Sequence, residues 1–125
     1  MKKILIIDDN EAFTSTLSDS LPKDKYTAVI AGDGIEGMEK LKTEKPDLII
    51  LDMKMPRMDG ITFLKELRKE NIPVKILISS ELSGTLAVSN AIAEGMDLGI
   101  TGYIAKSSES LEMTLKEIDN IFAKG

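Results

Sequence analysis

The chain has 125 residues, a length that suits one domain with a substantial core, and a formal net charge of −5 that argues against non-specific nucleic-acid binding as its main task. It contains neither cysteine nor histidine, which excludes disulfides, thiolate or imidazole metal ligands, a histidine base and a phosphohistidine. Any chemistry must therefore use carboxylates, hydroxyls and lysine. The first apolar run stops at Asp8 and is too short for a signal peptide or a membrane span, so we expect a cytoplasmic protein without membrane insertion.

Short aliphatic runs alternate with amphipathic stretches along the whole chain. The predicted strands are residues 4–7, 26–31, 48–51, 74–78 and 103–105. Between and after them, apolar residues recur at helical spacing. In chain order these residues are Phe13, Leu17 and Leu21; Ile35, Met38 and Leu41; Ile61, Leu64 and Leu67; Val88, Ala91 and Ile92; and Leu111, Leu115, Ile118 and Phe122. Ser107 or Ser108 is a candidate N-terminal cap for the last helix. Glu109 is favourable nearby, because its negative charge lies close to the positive N-terminal end of the helix dipole.

Strand and helix alternate five times, and each crossover has the length of a helix, so we predict an α/β fold with a doubly wound parallel sheet and five helices. The runs 4–7, 48–51 and 74–78 are the most aliphatic and belong in the middle, whereas 26–31 and 103–105 suit the edges. This arrangement matches the flavodoxin-like strand order 2-1-3-4-5. We find no internal repeat or linker, so residues 1–125 are taken as one domain.

Polar residues interrupt the aliphatic strands at their carboxyl ends. Asp8 and Asp9 follow the first strand, Asp52 the third, Ser79 the fourth and Lys106 the fifth. Because these ends lie along one edge of a parallel sheet, we expect three carboxylates, a hydroxyl and an ammonium to converge. A single aspartate at a strand end is often only a helix cap, but that explanation does not account for the joint placement.

Such a cluster needs a counter-charge. Two carboxylates about 5 Å apart at an effective dielectric constant near 20 repel by roughly 3 kcal/mol, and one lysine does not offset several such pairs. A hard divalent cation such as Mg²⁺ suits oxygen ligands and commonly bridges carboxylates to phosphate. An aspartate can also act as a nucleophile on phosphorus. The cluster therefore indicates phosphate chemistry.

The motifs IIDDNE, LIILDMKMPRMDG, ILISSE and GYIAK occur in this order and well spaced. With them the chain resembles, over essentially its whole length, the receiver domain of two-component response regulators, most closely the single-domain chemotaxis-type regulators. The resemblance implies that Asp52 is the phosphoacceptor, served by a histidine kinase or a histidine phosphotransfer protein. It implies that Asp9 binds Mg²⁺ (or Mn²⁺) directly, Asp8 through water, and that Asp52 and the backbone carbonyl of Lys54 complete the protein ligands.

The resemblance also implies roles for five residues, one of which, Lys54, is already named as a ligand through its carbonyl. Ser79 is the expected switch hydroxyl, Tyr103 the aromatic side chain that follows it, and Lys106 the partner of the phosphoryl oxygens. Ser79 can also be read as a plain strand-end hydroxyl, and Tyr103 as packing on an edge strand. Lys54 and Glu81 lie where the family varies phosphate lifetime, and a pairing of the two would cover the route of the attacking water. We therefore expect slow self-dephosphorylation.

Two features depart from the family pattern. Ser107 stands where the family usually has proline, so we expect a trans peptide after Lys106 and a looser site there. The segment Ala93 to Gly102 is about one helical turn longer than usual. It is either a harmless surface insertion or part of a partner-specific output face, because receivers commonly signal to a downstream protein through the fourth helix, the fifth strand and the fifth helix.

Three other functions compete with a phosphorylation switch that catalyses only its own phosphorylation and dephosphorylation. A flavodoxin would share the topology, but the acidic DDNE after the first strand would repel the FMN phosphate. A phosphatase with an aspartate nucleophile usually has a second aspartate where this chain has Lys54. A degenerate receiver that binds partners without phosphorylation is disfavoured by the intact acidic residues. The sequence identifies neither the kinase nor the target, and it shows no nucleic-acid-binding module.

Overall fold

The structure, a computed structural model, describes residues 1–55, 57–95, 99–107 and 110–124. Five strands and five helices alternate along these residues. The strands are β1 (Lys2–Ile7), β2 (Tyr26–Ala31), β3 (Leu48–Leu51), β4 (Lys75–Ser80) and β5 (Gly102–Ala105). The helices are α1 (Glu11–Ser20), α2 (Gly34–Glu44), α3 (Gly60–Lys69), α4 (Leu82–Ala93) and α5 (Ser110–Ala123).

All neighbouring strands are parallel, and their order across the sheet is β2-β1-β3-β4-β5. The predicted α/β class, strand order and edge strands are confirmed. The register aligns the last residues of β1 and β3 with Ile78 of β4, because Ile7 pairs with Leu51 and Leu51 with Ile78. The residues that follow β1 and β3 therefore leave the sheet side by side, and Ser79 of β4 lies level with them.

A separate hydrophobic core covers each face of the sheet. On one face, alternate residues of β1, β3 and β4 pack against α2, α3 and α4, with Phe63 and Leu64 fully buried. On the other face, the intervening strand residues pack against α1 and α5, with Leu17 and Ile118 fully buried. Because helices cover both faces, the central strands are aliphatic at nearly every position, which is the pattern that identified them in the sequence.

Three of the helices begin at a side-chain cap. Asn10, Asp33 and Asp59 accept hydrogen bonds from the backbone N–H groups of Phe13, Glu36 and Thr62, respectively. Asn10 thus caps α1, which leaves Asp8 and Asp9 free of that task.

The end of β4 and the start of α5 are the two boundaries that bear on the predicted site and cap. β4 continues through Ser80, two residues beyond the predicted end at Ile78. For α5, the candidate cap Ser108 and its neighbour Glu109 lie outside the described residues, as do residues 96–98 of the long segment before β5. Ser107 precedes α5, and its backbone carbonyl oxygen accepts hydrogen bonds from the backbone N–H and the hydroxyl of Ser110; capping by its side chain stays a prediction. No helix in the described part of the chain is long and apolar enough to cross a membrane.

Candidate functional site

The polar residues at the carboxyl edge of the sheet surround one cleft of about 240 Å³. Its lining residues come from the ends of four strands and the loops that follow them. They are Asp8, Asp9, Asn10, Asp52, Lys54, Glu81 and Lys106. The expected convergence of three carboxylates and an ammonium at this edge is therefore present in the structure.

The three aspartates form a compact acidic cluster. One carboxylate oxygen each of Asp8, Asp9 and Asp52 lies within 4.8 Å of the other two. Asp8 and Asp52 are buried, whereas Asp9 is exposed. Backbone hydrogen bonds fix the two buried residues, since Asp8 N–H donates to Ala31 and Asp52 N–H to Ile7. Three clustered carboxylates match the oxygen ligands that Mg²⁺ prefers, so this donor set fits the ion that the sequence suggested.

Asp8 is the aspartate on which the surroundings act most strongly. Burial raises the pKa of the Asp8 carboxyl, and the negative charge of Asp52 raises this pKa further. Hydrogen bonds from the Lys106 ammonium and from the backbone of Asn10 lower the same pKa, but they do not outweigh burial. The ionised form of Asp8 is thus held at a net cost that a bound cation would relieve.

Lys106 reaches the cluster from the end of β5. Its ammonium makes a short contact with Asp8 Oδ2 and lies 3.8 Å from Asp52 Oδ2. The ammonium also lies 4.5 Å from the centre of the Phe13 ring. No peptide bond in the described residues is cis, so Lys106 and Ser107 are joined by a trans peptide, as expected. The ammonium is held by a carboxylate and an aromatic ring, and the expected looser site around Lys106 stays a prediction.

The contact between Phe13 and Lys106 was not predicted from the sequence, whose periodicity indicated only that Phe13 belongs to the apolar stripe of α1. The ring is only partly buried. It packs against the core on the face covered by α1 and α5, and it also contacts the Lys106 ammonium. Its position in the first turn of α1, just after the two aspartates, was the available signal.

A serine contacts Asp52, but it is not the serine that the sequence singled out. Ser80 Oγ donates a 2.6 Å hydrogen bond to Asp52 Oδ1, and Asp52 Oδ1 also accepts a 3.3 Å hydrogen bond from Lys54 N–H. Ser79 is fully buried, and its hydroxyl has no hydrogen-bond partner in the described part of the chain. The physical reason is that successive strand residues point to opposite faces, so only one of two adjacent serines can meet a given carboxylate.

The remaining predicted residues lie around the cleft. Lys54 and Glu81 are exposed and line it, but within the described structure they form no ion pair with each other. The expected pairing across the water route is therefore absent. Tyr103 lies on edge strand β5 with 54% of its surface exposed, so it contributes little packing to the core.

Comparisons with known proteins agree with this geometry. The family model described as the response regulator receiver domain matches residues 4–117. A relative from Bacillus subtilis, the alkaline phosphatase synthesis transcriptional regulatory protein PhoP, is 34% identical over 92% of this chain and 46% of its own length. A protein-glutamate methylesterase/protein-glutamine glutaminase from Oleidesulfovibrio alaskensis is 33% identical over 95% of this chain and 32% of its own length. The chain thus spans less than half the length of these curated relatives.

Two solved structures illustrate the likeness. The receiver domain of the Francisella response regulator 1452 is 28% identical, with a TM-score of 0.81 over 99% of this chain and 98% of that one. The response regulator TrrA of Thermotoga maritima, solved in complex with Mg²⁺ and BeF, is 28% identical, with a TM-score of 0.73 over 94% of this chain and 98% of that one. With the matched family model, the parallel sheet and the acidic cleft at its carboxyl edge, the chain belongs to the response regulator receiver domains of two-component systems.

Proposed function

We propose that this receiver domain is a switch in which Asp52 accepts a phosphoryl group from a histidine kinase or a histidine phosphotransfer protein. The observation that carries the proposal is the acidic cluster, in which Asp52 lies beside two further aspartates and within 3.8 Å of an ammonium. Phosphorylation-activated switching is general in this family. A lone buried carboxylate would not need such neighbours, whereas a phosphoryl acceptor needs cationic groups that neutralise the incoming oxygens.

Five residues of the cleft have a role in this proposal. Asp52 is the nucleophile, and Lys106 supplies positive charge to the phosphoryl oxygens. Asp8, Asp9, Asp52 and the backbone carbonyl of Lys54 are the proposed ligands of Mg²⁺ (or Mn²⁺). When bound, the ion supplies charge neutralisation for the transferred phosphoryl group. Replacing Lys106 by alanine should therefore abolish phosphorylation-dependent changes in the domain.

The switch itself is proposed to use Ser79 and Tyr103. Among the described residues, the buried hydroxyl of Ser79 has no hydrogen-bond partner, a condition that costs free energy and that a phosphoryl oxygen would correct. Tyr103 is exposed on β5 and has room to change its rotamer. A phosphorylated Asp52 would then favour one of two pre-existing conformations rather than create a new one.

The proposed output face is formed by α4, β5 and α5. Large hydrophobic side chains are exposed on all three elements, which suits contact with a downstream protein. They are Leu86 and Ile92 on α4, Tyr103 on β5 and Met113 on α5. We expect no turnover of external substrates, because the cleft serves only the phosphorylation and dephosphorylation of Asp52.

The test uses the intact domain with Mg²⁺ and acetyl phosphate, followed by mass spectrometry. Wild type should gain one phosphoryl group, Asp52→Asn should gain none, and chelation of the metal should prevent the gain in wild type. Asp24→Asn, which changes an exposed aspartate far from the cleft in sequence, is the matched control and should behave as wild type. Phosphorylation of Asp52→Asn to the wild-type extent would refute the assignment. Repeated hydrolysis of phosphate esters would instead favour a phosphatase.

A further inference from the structure

Ser80 is a buried serine whose hydroxyl connects the candidate acceptor to the backbone that follows it. Its Oγ donates to Asp52 Oδ1 at 2.6 Å and accepts a 3.3 Å hydrogen bond from Met53 N–H. The Ser80 side chain is fully buried, so water does not compete for these bonds. A hydrogen bond from a hydroxyl to a carboxylate in such a place is among the stronger kinds.

The two oxygens of Asp52 have different surroundings. Oδ1 accepts hydrogen bonds from the Ser80 hydroxyl at 2.6 Å and from Lys54 N–H at 3.3 Å, which are two bonds to an oxygen with two lone pairs. Oδ2 lies 3.8 Å from the ammonium of Lys106, which also contacts Asp8 Oδ2. Oδ2 is thus the oxygen placed for a cation, and Oδ1 is left for phosphorus. Oδ1 cannot attack while both of its lone pairs are engaged.

The backbone of α4 confines the Ser80 hydroxyl to this position. Gly84 lies in the first turn of α4, and a Cβ atom built on it would lie 2.3 Å from Ser80 Oγ and 3.0 Å from the Cβ atoms of Ser80 and Met53. Only a residue without a side chain leaves room for the hydroxyl between the helix and Asp52. The same contact means that a displaced Ser80 hydroxyl must move relative to the first turn of α4.

We propose that Ser80 is a positioning residue that holds Asp52 in its resting geometry and slows phosphoryl transfer, an inference that rests on the function proposed above. In the reaction with an acyl phosphate, a bond forms between Asp52 Oδ1 and phosphorus while the bond from phosphorus to the acyl oxygen breaks. The carboxylate that leaves takes the bonding electrons and needs no proton. Ser80 keeps its proton throughout, but its hydroxyl must turn away from Oδ1 before the new bond can form.

The test measures phosphorylation by acetyl phosphate at saturating Mg²⁺ as a time course of intact mass. Ser80→Ala should raise the rate constant at saturating donor by about tenfold, equivalent to about 1.4 kcal/mol of barrier, and leave the half-saturating donor concentration unchanged. Gly84→Ala should also raise the rate constant, because its Cβ displaces the Ser80 hydroxyl. The double variant should be no faster than Ser80→Ala. Thr114→Val, which removes another fully buried hydroxyl from α5, is the control and should leave the rate constant unchanged.

A second readout needs no phosphodonor. Ser80→Ala removes the acceptor of Met53 N–H, so hydrogen exchange at this amide should become faster while exchange in the core of α5 stays the same. If wild type is phosphorylated and Ser80→Ala reacts at the wild-type rate or more slowly, the inference about Ser80 is overturned and the proposed function stands. If wild type gains no phosphoryl group, both are overturned. Unchanged exchange at Met53 would contradict the resting hydrogen bond itself.

Discussion

Replacing Asp8 by asparagine should stabilise the domain in the absence of divalent metal. Asp8 is buried, and its carboxylate lies within 4.8 Å of the Asp52 carboxylate. Asparagine keeps an oxygen that can accept the 2.9 Å hydrogen bond from Asn10 N–H but carries no charge. The variant thus removes the charge but keeps a side chain of nearly the same size, so the change in stability reports the cost of the charge.

The magnitude follows from opposing electrostatic contributions. At 4.8 Å and an effective dielectric constant near 20, the repulsion between Asp8 and Asp52 is about 3 kcal/mol, and burial of the Asp8 charge adds a further penalty. The contact with Lys106 offsets much of this, but the raised pKa of Asp8 shows that the offset is incomplete. Lys106 keeps Asp52 as a partner in the variant. We expect the free energy of unfolding to rise by about 1–2 kcal/mol, and Tm by about 3–8 °C.

The assay is thermal and urea unfolding at neutral pH, first with a chelator and then with Mg²⁺. A ligand at one hundred times its Kd stabilises the folded state by about 2.7 kcal/mol, so wild type should gain from Mg²⁺ and the variant should gain much less. Asp24→Asn should differ from wild type by less than about 0.5 kcal/mol under both conditions. A less stable Asp8→Asn variant in the chelator would refute the reasoning, because the Lys106 contact would then dominate.

Three further predictions concern other parts of the structure. Tyr26 donates a 2.5 Å hydrogen bond to Asp119, and burial together with this carboxylate raises the pKa of Tyr26 from 10.0 to about 12. Tyr26→Phe should lower the free energy of unfolding by about 1 kcal/mol at neutral pH. This difference from wild type should shrink between pH 10 and 12, because the tyrosine ionises near pH 10 in the unfolded state and near pH 12 in the folded state. A difference in urea unfolding that stays constant over this pH range would contradict the prediction. Gly37→Ala should destabilise by about 1–3 kcal/mol in urea unfolding, because its Cβ would lie 2.6 Å from Ile7 Cδ1; a gain from helix propensity would refute the packing argument. Lys54 lines the cleft, so Lys54→Ser should open the approach of water to Asp52 and speed loss of phosphate, measured as decay of the phosphorylated mass; an unchanged rate would exclude Lys54 from protecting the phosphoryl group.

The fold could be predicted from the sequence because the same physical pattern recurs five times. Parallel strands covered on both faces must be aliphatic throughout, and the central runs at 4–7 and 48–51 have no polar interruption. The first charged residue after each run marks its carboxyl end, so the sequence alone predicts that Asp8 and Asp52 lie side by side. The relative hydrophobicity of the five runs separated the central strands from the edge strands, and this separation matched the flavodoxin-like strand order.

The details of the site could not be predicted in the same way. The sequence shows two adjacent serines after Ile78, and a strand that stops there leaves the direction of both hydroxyls undetermined. In the structure β4 continues through Ser80, so the alternation of side chains turns Ser80 toward Asp52 and Ser79 to the other face. The position of the Lys106 ammonium against Phe13 is likewise a tertiary contact, which no local periodicity encodes.

The ion pair between Lys106 and Asp8 joins residues 98 positions apart in the chain. During synthesis, a nascent chain that has emerged from the ribosome only through β4 already carries every aspartate of the cleft but not the lysine. Repulsion within the aspartate cluster therefore lacks its internal counter-ion until β5 docks at the edge of the sheet. The acidic cleft should consequently be complete only after β5 has joined the sheet.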